Sequence, residues 1–249
     1  LMTVWTGEKT YLRGTALDMY NGRAWFDTLS NERYGFQSVR FAGLKASLFD
    51  EDLPAGERGQ PLELRVEMLD TLPSTLFVPQ RLRALAPGEG MVPYFNASSE
   101  LFITRDLRQG DSYTAGFEAY TAGSAYTDAL AERLTGFVDP AYERILQDYT
   151  RLPDHLEPGG IIDALAREVA GNIHDPYQQG LALMRYLRSN FRYTLDVPDA
   201  PPTLDFASHF LFDIQEGYCT YFATAMTVLA RSLGLPARYV EGFLANPQG

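Results

Sequence analysis

The chain has 249 residues, 13% of them aromatic, with a formal net charge of -11 and a single cysteine. That length can bury a sizeable core as one large or two ordinary domains, and the acidic balance, with no basic stripe to meet phosphates, argues against nucleic acid as a partner. One cysteine excludes an internal disulfide, and no CxxC or Cys/His spacing suits zinc.

The chain begins at Leu1 rather than Met, which reads as a fragment of a longer protein. No apolar run approaches the roughly 18 residues of a membrane-crossing helix, and no signal-peptide pattern is present. Any membrane segments of a parent protein are expected outside these residues.

The first 120 or so residues read as strands. In the stretch YLRGTALDMYNGRAW, the Asn21-Gly22 pair between apolar runs predicts a hairpin, because both residues tolerate positive φ. The acidic cluster Asp50-Glu51-Asp52 reads as a solvated loop. In PLELRVEM, Leu62, Leu64, Val66 and Met68 alternate with Glu63, Arg65 and Glu67, the period of a half-buried strand. In SYTAGFEAY, Tyr113, Ala115, Phe117 and Ala119 alternate in the same way. Pro73, Pro79, Pro87-Gly88 and Pro93 punctuate the region as in an all-β module. Asn96-Ala97-Ser98 fits the glycosylation pattern, but so short a motif is usually accidental.

After Ala122 the pattern becomes helical. Asp139-Pro140 and Asp175-Pro176 each place an N-cap acceptor before a proline at the first helical position, and Gln178 completes a capping-box-like pair with Asp175. Tyr142, Ile145, Leu146 and Tyr149 form one apolar face, and Leu181, Met184 and Leu187 another. A third helix spans about 161–169 and stops at Gly171. The predicted organisation is therefore α+β, an all-β module over 1–125 and a helical module over 126–249. The proline-rich loop at 196–203 must run over the surface or past a cleft.

Phe222, Ala225, Met226, Leu229 and Leu233 recur at helical spacing, and Gly234 with Pro236 ends that helix. Cys219 falls in its first turn, where unpaired amides and the helix dipole stabilise a thiolate and could bind an oxyanion. Gly217 would let the backbone turn sharply beside the thiol. Inert packing is the competing reading, since unpaired cysteines are among the most buried residues. Periodicity alone leaves the two about even.

The stretch FLFDIQEGYCTYFATAMTVLARSLGLPARYVEGFLA, 210–245, resembles the core of the transglutaminase-like superfamily. Gly217, Cys219, Phe222-Ala223, Arg231, Gly234, Pro236-Ala237-Arg238 and Gly242 carry the likeness. Residues 11–25 separately resemble the entry to the extracytoplasmic part of bacterial membrane-anchored transglutaminase-like proteins. The resemblance implies a papain-like cysteine domain behind the β module, its C-terminal sheet truncated here, at the outer face of a bacterial cell membrane. It implies acyl transfer, with Cys219 forming a thioester with a protein or peptide glutamine and passing the acyl group to an amine or to water.

In the family the catalytic histidine and aspartate follow the cysteine helix, so they are expected beyond Gly249 and the chain as given is expected to be inactive. His155, His174 and His209 all precede Cys219. His209 could approach the site but reads better as structural, and His155 and His174 as surface or capping residues. Tyr193 occupies a place where family members often carry an aromatic residue near the oxyanion site, with core packing or loop anchoring as its alternative. Arg238 is expected to fix the following strand through carboxylate or backbone bonds. No carboxylate loop has calcium-binding spacing, so no calcium site and no other cofactor is inferred. Two rival readings stay open: a cysteine peptidase or amidase on the same triad, and a catalytically silent domain that binds peptide or cell-envelope partners.

Overall fold

The computed structural model describes residues 1–29, 32–49, 60–119, 127, 140–156, 158–198 and 200–247. The acidic cluster at 50–52, the Asp139 cap and the expected boundary at 125/126 lie outside them. The chain divides into two compact units, Leu1–Ala16 with Leu29–Thr127 and Val240–Gly249, and Leu17–Thr28 with Asp128–Tyr239. A single cut near residue 125 therefore does not describe it: the Leu17–Thr28 segment groups with the helices, and the chain from Val240 groups with the β unit. Among the described residues no helix is long and apolar enough to cross a membrane.

The chain opens with β1 (Met2–Thr6) and β2 (Thr10–Leu17), then the short strands β3 (Met19–Tyr20), β4 (Trp25–Phe26) and β5 (Tyr34–Gly35). Helix α1 (Ala42–Leu48) precedes β6 (Gln60–Met68), β7 (Thr75–Leu76), β8 (Val78–Pro79) and β9 (Leu82–Pro87). Strands β10 (Pro93–Phe95), β11 (Leu101–Ile103) and β12 (Ser112–Ala119) follow. In the β unit, β1-β6-β12-β9 form one antiparallel sheet and β5-β10-β11-β7 another. A third sheet has the order β15-β2-β8, where β15 is Tyr239–Ala245.

The alternation read from the sequence determines which side chains fill this core. Leu64, Val66 and Met68 of β6 and Tyr113, Ala115 and Phe117 of β12 are buried together with Phe95, Leu101 and Ile103. The Tyr113 hydroxyl donates to the Phe77 carbonyl at 2.7 Å, which satisfies a phenol whose pKa burial pushes up. Asn96 is also buried: its Oδ1 accepts from the Ser98 and Glu100 amides, and its Nδ2 donates to Glu100 Oε2 at 2.7 Å. This asparagine holds a turn and is not presented as a glycan acceptor.

The helical unit contains α2 (Pro140–Tyr149), α3 (Ile161–Ala170), α4 (Pro176–Asn190) and α5 (Cys219–Ser232). The start of α4 has the expected cap, with Asp175 Oδ1 accepting from the Gln178 amide at 2.7 Å and Pro176 in the first turn. Its core joins Ile162 and Ala166 of α3, Leu183 and Leu187 of α4, and Ala225, Val228 and Leu229 of α5. The face expected on α2 is less buried than its spacing suggests, with Tyr142 and Ile145 exposed.

Leu17–Thr28 enters this unit as the predicted hairpin, with β3 and β4 joined across Asn21–Ala24 and Gly22 at φ +96°. Asn21 Oδ1 accepts from the Arg23 and Ala24 amides, so the side chain closes the loop. Trp25 stacks between Tyr20 and Tyr239, with ring centroids at 5.0 and 5.4 Å, and its indole N–H donates to Thr224 Oγ1 at 3.1 Å. The Arg231 guanidinium lies 5.0 Å from the Trp25 ring centroid.

Arg231 is only 3% exposed. Its Nε donates to the Ala237 carbonyl, Nη1 to the Arg151 carbonyl, and Nη2 to the carbonyls of Asp18 and Ala237, all at 2.6–2.9 Å. Among the described residues, backbone carbonyls rather than a carboxylate hold this charge, and burial pushes its pKa down to about 10. Arg231→Met should strand three carbonyls at a cost of about 1–3 kcal/mol each where they stay dry. Denaturant unfolding of the variant should show a loss of about 3 kcal/mol or more.

In α3, Asp163 accepts from Arg167 Nε at 2.9–3.0 Å and from the Gly159 amide at 2.8 Å. The Arg167 hydrogen bond is the main cause holding the Asp163 carboxyl below the usual carboxylate range. A carboxyl whose folded pKa is lowered stabilises the protein above its unfolded pKa, and that contribution is lost as pH falls through the folded value. Unfolding free energies across an acid titration should therefore show Asp163→Asn less stable than the parent at neutral pH, with the gap closing at the acid end.

Candidate functional site

Three short elements place Cys219. A single helical turn, Phe206–Ser208, is capped by Asp205, whose Oδ1 accepts from the Ser208 amide at 2.8 Å. It runs into a π-helical segment, His209–Ile214, that ends at Gln215 in the left-handed conformation, φ +50°. A non-glycine residue there costs about 1–3 kcal/mol, so the surroundings hold the turn in place. Gln215 donates its amide to the Phe210 carbonyl and accepts at its own carbonyl from the Arg192 amide at 3.1 Å.

Strands β13 (Arg192–Tyr193) and β14 (Glu216–Gly217) then pair in parallel, Arg192 with Glu216 and Tyr193 with Gly217. An Arg192–Glu216 ion pair at 3.0 Å lies on this ladder, and the Thr194 amide donates to the Gly217 carbonyl at 2.9 Å. Gly217 is required by contact: a Cβ there would sit 2.6 Å from Tyr221 Cγ and 2.8 Å from Tyr221 Cβ.

The next residue, Tyr218, is the extended N-cap of α5 (φ -111°, ψ -172°) and makes no side-chain cap hydrogen bond. Its carbonyl accepts from the Tyr221 and Phe222 amides at 2.9 and 3.3 Å. Cys219 and Thr220 therefore stand in the first turn, at the positive end of a 14-residue helix. The Cys219 side chain is exposed. The helix beneath it is fixed by Ala225, Val228 and Leu229, which have no solvent exposure. Aromatic rings bed the first turn, with Tyr221 against Phe206 at 4.3 Å and against Tyr218 at 5.0 Å, and Phe222 against Phe210 at 5.1 Å.

Tyr193 is 62% exposed with its ring 5.9 Å from that of Phe222, so the residue expected near the oxyanion position shares the ladder that leads into the cysteine helix. His209 is buried, with Nδ1 2.9 Å from Asp213 Oδ2. His155 Nε2 lies 3.0 Å from Asp205 Oδ2, an oxygen that also accepts from the Tyr20 hydroxyl at 3.2 Å. Burial first, and the Asp205 charge second, raise the Tyr20 pKa. His174 is exposed. Among the described residues no group of three His, Cys, Asp or Glu side chains could hold a metal ion.

The Arg238 guanidinium, expected to make carboxylate or backbone bonds, lies over the Tyr149 ring at 5.2 Å. Arg231 holds the chain before the last strand through the Ala237 carbonyl. Sequence reasoning also missed the Tyr20–Trp25 hairpin as part of this unit, because only the family pattern singled out Arg231 and nothing local marks its partners. A hollow of about 290 Å³ against Arg231 and Ser232 lies at the other end of α5. At 1.5 Å per residue that is roughly 20 Å along the helix axis from Cys219.

Comparison with known proteins bears on this arrangement. Residues 163–249 match the sequence model of the transglutaminase-like superfamily. The chain is 27% identical over 246 residues to the uncharacterized protein YebA of Bacillus subtilis (strain 168), an alignment covering 97% of this chain and 32% of YebA. It is 34% identical over 107 residues to a protein-glutamine gamma-glutamyltransferase of Pseudomonas aeruginosa PAO1, covering 40% of this chain and 15% of that protein. The chain thus spans about a third or less of the length of these curated relatives.

The crystal structure of the periplasmic domain of TgpA from Pseudomonas aeruginosa matches with a TM-score of 0.66 at 19% identity, covering 100% of this chain and 75% of that one. At that identity the likeness speaks to the fold, which is mixed α and β and transglutaminase-like. The likeness to the transglutaminase-like superfamily is carried by residues 163–249, which contain the whole cysteine helix.

Proposed function

We propose that Cys219 is the nucleophile of a transglutaminase-type acyl transfer. The observation that carries the reading is the exposed thiol at the first residue of α5, inside the segment that matches the superfamily model. The thiolate attacks the carbonyl carbon of a protein glutamine side chain, and the first-turn amides receive the developing oxyanion. The C–N bond breaks, the nitrogen takes up a proton and ammonia leaves, giving a thioester. A primary amine or water then attacks the thioester carbon, the C–S bond breaks and the thiolate returns.

Tyr193 is assigned to the cleft beside the thiol. The proton-sharing histidine and its orienting carboxylate are assigned to the parent protein after the cysteine helix, since His155, His174 and His209 precede it. On this reading the chain as given is inactive by itself. A membrane-anchored parent would present the domain at the extracytoplasmic face, in keeping with the periplasmic domain of TgpA that shares its fold.

The full-length parent, given a glutamine-bearing protein and a labelled primary amine, should incorporate the amine and release ammonia. Cys219→Ala should abolish both, and labelling that persists in Cys219→Ala would sink the assignment. Ammonia release without amine incorporation would identify a hydrolase on the same nucleophile. Gly217→Ala should also lower turnover, at least about tenfold, because its Cβ displaces Tyr221 and shifts the first turn from its reacting geometry.

A further inference from the structure

The ladder that leads into the cysteine helix has an unused edge. Strands β13 and β14 make a sheet with no third member among the described residues. The Arg192 amide donates to the Gln215 carbonyl at 3.1 Å, and the Thr194 amide to the Gly217 carbonyl at 2.9 Å. Successive residues of a strand turn their amides and carbonyls to opposite sides, so those of Tyr193, between the two donors, point away from β14. Among the described residues neither group of Tyr193 has a hydrogen-bond partner. Both residues of β13 are exposed, so the ladder is open to water on either face.

A main-chain donor and acceptor on one residue are matched by a residue of another extended chain. In antiparallel pairing a single partner residue makes both bonds. Apolar surface stands beside them, with Tyr193 62% exposed and Leu195, two residues on, 78% exposed. The edge is kept to one residue, because the Thr194 hydroxyl accepts from the Asp196 amide at 3.1 Å and the chain leaves the ladder there. So short an edge admits a docking segment without inviting sheet growth.

Position decides which extended chain fits. Tyr193 stands opposite Gly217, and Cys219 follows two residues later. At about 3.3 Å per residue and about 4.8 Å between strands, the open edge lies within roughly 10 Å of the residue that carries the thiol. A segment paired there holds its neighbouring side chains at the start of α5, and the acyl donor is the reactant that the thiol attacks first.

We propose that the Tyr193 edge is the docking strand for the acyl donor. One residue beside the reactive glutamine pairs antiparallel with Tyr193 through two backbone hydrogen bonds. The choice of occupant rests on the acyl-transfer reading. The substrate class it selects is a glutamine in an extended segment with an apolar neighbour, since a helical segment has already bonded its own main chain.

The Cys219→Ala form of the full-length parent cannot turn over, so calorimetric titration reads binding alone. The probes are the peptide acetyl-Ala-Val-Gln-Leu-Ala-amide and its singly N-methylated backbone analogues. The unmodified peptide should bind. N-methylation of either the valine or the leucine, but not both, should weaken it at least about fivefold, and N-methylation of the glutamine less than about twofold. In the same background, Tyr193→Pro removes the amide donor as well as the ring, whereas Tyr193→Ala removes the ring alone. The two should melt together, because the amide has no part in the fold, and the proline form should bind at least about fivefold more weakly. Equal binding by the two variants, uniform affinity across the analogues, or no binding of the unmodified peptide would overturn the proposal. A proline form that melts below the alanine form would overturn it too, by making the amide structural. The two readings fail separately: amine incorporation with a peptide indifferent to N-methylation removes the docking strand alone, and pairing without incorporation removes the nucleophile alone.

Discussion

The helical unit depends on one buried cation. Arg231 donates to three chain segments at once, at Asp18, Arg151 and Ala237, and each acceptor is a main-chain carbonyl. A carboxylate partner would neutralise the charge, but it would hold only one side chain. Carbonyls leave the positive charge in place and use the planar fork of the guanidinium to fix backbone geometry in several directions. Burial makes that charge costly, which is why its pKa falls and why all these contacts are needed together. The C-terminal end of α5 is thus anchored to the β3–β4 hairpin, to the loop after α2 and to the entry of the last strand.

The opposite end of the same helix carries the thiol. Its position follows from a series of local constraints: a π-helical segment, a left-handed Gln215, a two-residue parallel ladder and a glycine against the ring of Tyr221. Each would be poor structure in isolation. Together they bring the chain into α5 with a sharp change of direction and with Cys219 facing solvent. The arrangement separates two requirements, since the helix is held by packing and by Arg231 at one end, which leaves the first turn at the other free to present its amides and its sulfur.

Much of this was legible in the sequence where the rule is local. The alternation in β6 and β12, the Asp175-Pro176 cap, the Asn21-Gly22 hairpin and the start of α5 at Cys219 each rest on residues within a few positions of one another. What was not legible depends on long sequence separation. Tyr20 and Trp25 sit in a stretch that reads as β module, yet their ring partners and hydrogen-bond acceptors are about 180–210 residues away, at Asp205, Thr224 and Tyr239. The exposure of Tyr142 and Ile145 was likewise hidden, because spacing identifies an apolar face but not whether it is covered. The part played by Arg231 was hidden for the same reason, since no periodic rule marks an arginine whose acceptors lie at Asp18, Arg151 and Ala237.

The two tryptophans of the chain fall one to each unit. Trp5, on β1, is 42% exposed and carries the Arg65 guanidinium 5.1 Å from its ring centroid. Trp25 is half-buried in a stack of two tyrosines, with its indole N–H engaged by Thr224. Their surroundings differ in polarity, so their emission differs in wavelength and in access to a dissolved quencher. The chain therefore carries one optical reporter for each unit, and replacing either tryptophan with phenylalanine leaves the other to record whether the sheets and the helices melt as one cooperative block or in separate steps.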